Sequence, residues 1–237
     1  MEFRIAPLLV GIRRVDQGIM TYEKKYGHRI WLPIWSFLVQ NESLNILVDT
    51  GLEDFVTPPG FSSETGMAEP LFMQAALKGE GLAPEDIHIV INTHLHDDHC
   101  GNNRLFVKAG CYIQRKELEA CKKPHPLDYR YEPDFIEGLN LKAVEGDKEI
   151  LPGLDLFLMP GHTQGGQTVR INTADGKVII PGFCCNKENF PAEGRTAVCP
   201  GVHCDAYQAY NAAQEVKAMD GMILPLHELD ITTAIKA

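Results

Sequence analysis

Three histidines and two aspartates crowd into Thr93-His94-Leu95-His96-Asp97-Asp98-His99. The apolar, β-branched residues 87–92 that precede them are predicted to form a strand. Side chains alternate along an extended segment, so His94 and His96 project to one side and can face one ion. Asp98 and His99 fall where the strand should give way to a loop or helix at Cys100-Gly101, and can face a second ion beside the first. Imidazole nitrogens with a carboxylate oxygen suit Zn, Fe or Mn, and not Ca. One histidine here would read as a polar residue capping backbone groups, but the density of this run argues for a metal.

A cluster on one segment cannot close a site, so its partners are sought at other strand exits. His162 lies in Pro160-Gly161-His162-Thr163, directly after a predicted strand at 154–159. His227 lies in Pro225-Leu226-His227-Glu228, after a predicted strand at 222–226. Asp49 closes Leu47-Val48-Asp49-Thr50-Gly51, where it can hold a ligand imidazole by its second nitrogen. His203 precedes a helix and reads as a helix-entry residue in preference to a group at the site mouth. His28, His88 and His125 are isolated and read as structural or surface residues.

Strands are predicted at 3–10, 30–39 and 44–49, and later at 154–159, 168–172 and 177–180. Asp175-Gly176 suits a hairpin turn between the last two. Residues 53–70 carry three prolines and two glycines and read as a long surface loop, a lid or a plain connector. Helices are predicted at 71–78 and 115–122. Another opens at Asp205, with Gln208 as a capping partner and Ala206, Tyr210, Ala213 and Val216 on one face. Strands in both halves with helices between them suggest two sheets covered by helices. No repeat or polar linker divides the chain, so residues 1–237 read as one domain.

The 237 residues are 44% hydrophobic and 23% charged, which excludes disorder, collagen and coiled coil. Lys and Arg number 22 against 32 Asp and Glu, a net charge of −10. That balance argues against nucleic-acid binding and against docking on anionic membranes. It favours an uncharged or cationic substrate. No apolar run reaches the ~18 residues of a membrane span. The first residues show no export signal, and seven cysteines are an odd count without a disulfide-scaffold spacing. Reduced thiols in a cytoplasmic protein are the expectation.

The combination resembles the metallo-β-lactamase superfamily, and within it the N-acyl homoserine lactonase branch. Carrying the resemblance are Leu32-Pro33-Ile34-Trp35, Leu47-Val48-Asp49-Thr50-Gly51, the His94–His99 run, Gly146-Asp147, Leu151-Pro152-Gly153, Pro160-Gly161-His162-Thr163 and Lys187-Glu188-Asn189-Phe190. It implies an α/β (α+β) fold, an αββα sandwich with metals at one edge. It implies one metal held by His94, His96 and His162 and a second held by Asp98, His99 and His227, with Asp98 also catalytic. Zn is the metal implied, one ion or two, with Fe or Mn allowed. The implied reaction is attack of activated water on a lactone or other ester-like bond of a small molecule. A glyoxalase II-like thioesterase is one alternative, and a metal-binding sensor with a degenerate site is another. Pairing of two copies into a homodimer is allowed.

The chain departs from that pattern in two places. The family's bridging aspartate aligns with Gly182, and its tyrosine near the substrate carbonyl aligns with Cys185. Cys184 and Cys185 are the nearest groups that could serve as an extra ligand or substrate contact, against their ordinary reading as small apolar fillers. Tyr129 and Tyr131 are the nearest phenols that could replace the missing one.

Overall fold

In a computed structural model, which describes residues 1–192 and 194–231, two sheets pack face to face and helices cover both outer sides. The first sheet has the order β1 (Arg4–Asp16), β2 (Arg29–Gln40), β3 (Asn45–Val48), β4 (Ile89–Ile91), β5 (Gly110–Gln114) and β6 (Asn140–Val144). Pairing is antiparallel from β1 to β3 and parallel from β3 to β6. Helices α1 (Phe61–Thr65) and α2 (Met73–Gly79) connect β3 to β4; α3 (Asp97–Cys100) follows β4 and α4 (Arg115–Lys122) follows β5. The second sheet joins β7 (Lys148–Leu151), β8 (Leu154–Leu158), β9 (Gln167–Thr173) and β10 (Gly176–Ile180) antiparallel. After α5 (Ala206–Ala218), the short β11 (Met222–Ile223) adds parallel to β10.

Alternation along the strands sorts the core. Trp35, Phe37 and Val39 of β2 face the second sheet, where they meet Leu154, Leu156, Val169 and Ile171. Leu32, Ile34 and Leu38 of the same strand face the other way, toward Met73, Leu77, Leu118 and Cys121 of the helices. A strand covered on both sides must be apolar at nearly every position, and β2 is. On the far side Ala212, Ala213 and Val216 of α5 pack on Ile179 of β10.

The elements differ from expectation where tertiary pairing overrides local pattern. β1 continues to Asp16, because a bulge between Leu9 and Ile12 shifts its alternation while its pairing with β2 runs on to Arg29. β6 and β7 are short and polar and carry no sequence signal; pairing with β5 and β8 makes them strands. The strand expected at 222–226 pairs only at Met222 and Ile223. The loop at 53–70 contains α1. In α5 the buried face is Ala209, Ala212, Ala213 and Val216, with Tyr210 outward, because small side chains let the helix lie close to the sheet. Asp205 does cap that helix, accepting from the Gln208 amide at 3.0 Å. No helix among the described residues is long and apolar enough to cross a membrane.

Phe37 is fully buried between the sheets. Phe37→Ala is expected to cost about 3–5 kcal/mol of stability, measured as a lower urea midpoint with an unchanged slope.

Candidate metal centre

Asp49 follows β3, the His94–His99 run follows β4, His162 follows β8 and His227 follows β11. These strand exits converge. His94, His96 and His162 form one group of ligand-type atoms within 4.8 Å of one another, and Asp98, His99 and His227 form a second. All six residues are buried.

Each of the five imidazoles is tied to the protein by one ring nitrogen. His162 Nδ1 donates to the Val202 carbonyl at 2.6 Å and His227 Nδ1 to the Pro33 carbonyl at 2.8 Å. His99 Nδ1 meets Asp49 Oδ2 at 2.8 Å, and His96 Nε2 meets Asp128 Oδ2 at 3.0 Å. The Thr93 hydroxyl donates to Asp49 at 2.8 Å, which leaves its oxygen to accept from His94 Nδ1 at 3.0 Å. A neutral imidazole carries one proton, so each ring's other nitrogen turns a lone pair inward. His94 Nε2 and His162 Nε2 stand 3.2 Å apart, and His227 Nε2 is buried without any hydrogen-bond partner. His99 Nε2 and His227 Nε2 lie 3.6 and 3.9 Å from the two Asp98 oxygens. Converging lone pairs on buried nitrogens beside one carboxylate fit two divalent cations.

The electrostatics agree. Burial, followed by the neighbouring imidazoles, pushes His94 well below the ordinary histidine range. Burial pushes His227 down to about 4. Burial opposes the charge of Asp98, but His99, His227 and Arg13 outweigh it and hold the carboxyl well below its usual range. Burial also holds His162 well below the histidine range, whereas Asp98 and Asp49 raise His99 against its burial. His94, His162 and His227 are therefore held neutral and Asp98 ionised, the forms in which each binds metal.

Two residues that reading the sequence missed hold this arrangement. Glu117 of α4, fully buried, accepts from the Leu95 amide at 2.9 Å, the Gly165 amide at 2.9 Å and the Tyr131 hydroxyl at 2.7 Å. It ties the segment carrying His94 and His96 to the segment carrying His162. The signal was a carboxylate four residues before Cys121, on the apolar face of its helix. Gln167 donates to the carbonyls of Asn92 and Tyr112 at 2.8 and 3.1 Å, fixing the second sheet to the exit of β4 and the middle of β5.

The remaining candidates separate. Cys184 lines a cavity of about 430 Å³ together with His94, His96, Asp98, His99 and His162. Cys185 turns away into the core under α5. His203 packs edge-on against Tyr22 and donates to the Pro200 carbonyl, lining a neighbouring cavity. Tyr131 is committed to Glu117, whereas Tyr129 stands at the cavity rim. His88 accepts from the Asn45 amide of β3 and His125 from the nearby Leu127 amide. Four arginines, Arg13, Arg14, Arg29 and Arg130, also line the cavity, and three of them are paired with carboxylates: Arg13 with Asp97, Arg14 with Glu64 and Arg130 with Asp128.

At Gly182 an added Cβ would lie 2.4 Å from the backbone carbon and oxygen of Gln167. The missing carboxylate is thus built into the packing. Gly182→Asp is expected to lower stability by about 1–3 kcal/mol without raising metal content, read from thermal melts and metal analysis. Asp49→Asn, which keeps the shape but loses the charge holding His99, should weaken metal binding about 10- to 100-fold in a chelator competition.

The comparisons with known proteins agree with this geometry. Residues 29–182 match the metallo-β-lactamase superfamily. An N-acyl homoserine lactonase from a Bacillus species is 37% identical over 178 residues, 70% of each chain. The enzyme of that name from Bacillus thuringiensis subsp. kurstaki is 36% identical over the same share. A solved N-acyl homoserine lactone hydrolase, with N-hexanoyl-L-homoserine bound at its catalytic metal centre, superposes with a TM-score of 0.78 at 28% identity, covering 99% of this chain and 97% of its own. The chain belongs to the metallo-β-lactamase superfamily, in the branch that holds the N-acyl homoserine lactonases.

Proposed function

We propose that this chain is a metal-dependent hydrolase of an ester-like bond, with a lactone as the first substrate class. The observation that carries it is the set of inward-turned lone pairs on five tethered imidazoles beside Asp98. In this reading His94, His96 and His162 hold one ion and Asp98, His99 and His227 a second. The donor set suits Zn first, with Fe or Mn allowed. The chemistry such a centre supplies is activation of water and polarisation of a carbonyl. Asp98, the only carboxylate of the six, lines the cavity and orients the incoming water. Asp49 and Asp128 keep the imidazole protons outward, and Glu117 holds the two histidine-bearing segments in register.

The relatives act on lactones by name, which favours this class over a thioesterase or a degenerate sensor. Gly182 makes the two sites unequal in our reading. Three neutral histidines define one site and Asp98 adds charge only to the other, so two dications there repel with less compensation. All seven cysteines are free thiols and six are buried, in keeping with a cytoplasmic location.

His96→Ala is expected to lose most bound metal and lactone hydrolysis together, checked by metal analysis of the purified protein and by turnover of a lactone panel. Full metal content in that variant would sink the assignment. Prolonged chelation of the parent should abolish activity, and Zn should restore it.

A further inference from the structure

The two groups of candidate ligands are held from different parts of the fold. Glu117, Asp128 and the Val202 carbonyl fix the segments that carry His94, His96 and His162. Asp49 serves both groups. His99 has a further support of its own, made by Thr50, Asn92 and Asn103, all buried. While Asp49 holds the ring, the His99 carbonyl accepts from the Thr50 amide at 2.8 Å and from Asn92 Nδ2 at 3.1 Å. Those donors fill its two lone pairs. Asn103, in the single turn after α3, closes the cluster. Its Oδ1 accepts from the Thr50 hydroxyl at 3.0 Å and from Asn92 Nδ2 at 3.2 Å. Its Nδ2 donates to Asn92 Oδ1 at 2.9 Å and to the Phe135 carbonyl at 3.4 Å. The Cys111 thiol, at 3.5 Å, is the other donor to Asn92 Oδ1. Every donor and acceptor of the two side-chain amides is thus spent inside the protein. Asn102 adds a grip on the Thr50 carbonyl at 2.8 Å.

Apolar side chains could fill the same space without the cost of burying polar groups. What a closed polar cluster adds is one fixed geometry. His99 is where geometry matters, because its Nε2 turns toward Asp98 Oδ1, 3.6 Å away, and toward the His227 ring. A metal ligand must stand within about 0.2 Å of its place. Asn103 is not part of the cavity wall and hydrogen-bonds none of the six candidate ligands, so it acts through Thr50 and Asn92. Resting on the hydrolase reading above, we propose that Asn103 is a positioning residue for the second ion site. By fixing the His99 backbone it fixes the pivot of the ring, whose far edge Asp49 already holds. The three-histidine site does not depend on it.

The test loads metal-free protein with cobalt and measures both dissociation constants by chelator competition. Asn103→Leu keeps the size and removes all four hydrogen bonds of the side chain. The second ion should then bind about 10- to 100-fold more weakly, the usual effect of losing an outer partner of a metal ligand, while the first holds. Thr50→Val removes one hydroxyl and should weaken the second ion about 3- to 10-fold, the worth of one neutral hydrogen bond. Thr50→Ser keeps the hydroxyl and should match the parent. Proton NMR of the cobalt form identifies the site, because the outward ring N–H of each bound histidine gives a paramagnetically shifted signal. With enough cobalt to fill only one site of Asn103→Leu, the signals of His94, His96 and His162 should appear and those of His99 and His227 should be missing. Thermal melts of the metal-free proteins record any loss of fold stability separately. If Asn103→Leu does not fold, Thr50→Val carries the test. Equal weakening of both ions, or a lower melting temperature with both constants unchanged, would overturn the inference and leave the hydrolase reading intact. Selective loss of the second ion, in a protein whose parent form turns over no lactone, would support the positioning role and remove the hydrolase.

Discussion

A histidine offers a lone pair only if its other nitrogen keeps the proton, and the fold around this site is arranged to enforce that five times. Two of the five ties meet at Asp49, directly through His99 and through the Thr93 hydroxyl to His94. Asp49 is one of three non-glycine residues with positive φ among the described residues, at 61°. Aspartate tolerates that region better than most residues. The bend turns its carboxylate from the end of β3 across to the exit of β4, where it also accepts the Thr93 amide at 2.7 Å. The left-handed conformation costs about 1–3 kcal/mol, and three hydrogen bonds to one buried carboxylate offset it.

The same requirement reaches into the helices. Histidines on loops after different strands stay within 4.8 Å only if the loops are fixed to each other. Glu117 does this from α4 by accepting one amide from each loop, and Gly165 permits it. An added Cβ at Gly165 would lie 2.2 Å from the Glu117 amide nitrogen, so only glycine brings that loop close enough. The carboxylate is satisfied by three donors, which makes its burial tolerable. Packing of α4 through Leu118 and Cys121 and positioning of the site are thus one event.

The metal-ligand candidates were legible because they sit at predicted strand exits and because three histidines in one short run have few other uses. The apolar strands and α4 were legible for the ordinary reason that their patterns match their burial. What escaped were groups whose role depends on distant partners. Glu117 looks like any helix glutamate until Leu95 and Gly165 are seen against it. Asp128 looks like loop until His96 is seen 3.0 Å away. β6 and β7 are strands by virtue of their neighbours. Cys184 and Cys185 are adjacent in sequence but face a cavity and a core, a difference no composition records.

Net charge says least about the site, and for a physical reason. At physiological salt a charge is felt over about 8 Å, so carboxylates spread over the outer surface say little about a cleft. Inside this one, β1 and β2 set Arg13, Arg14 and Arg29 on the wall, where Arg13 meets Asp97 and Arg14 meets Glu64. Charge here is set residue by residue: Asp97, Glu64 and Asp128 match three of the four arginines that line the cavity, and the carboxylate of Asp98 is left to face the histidines.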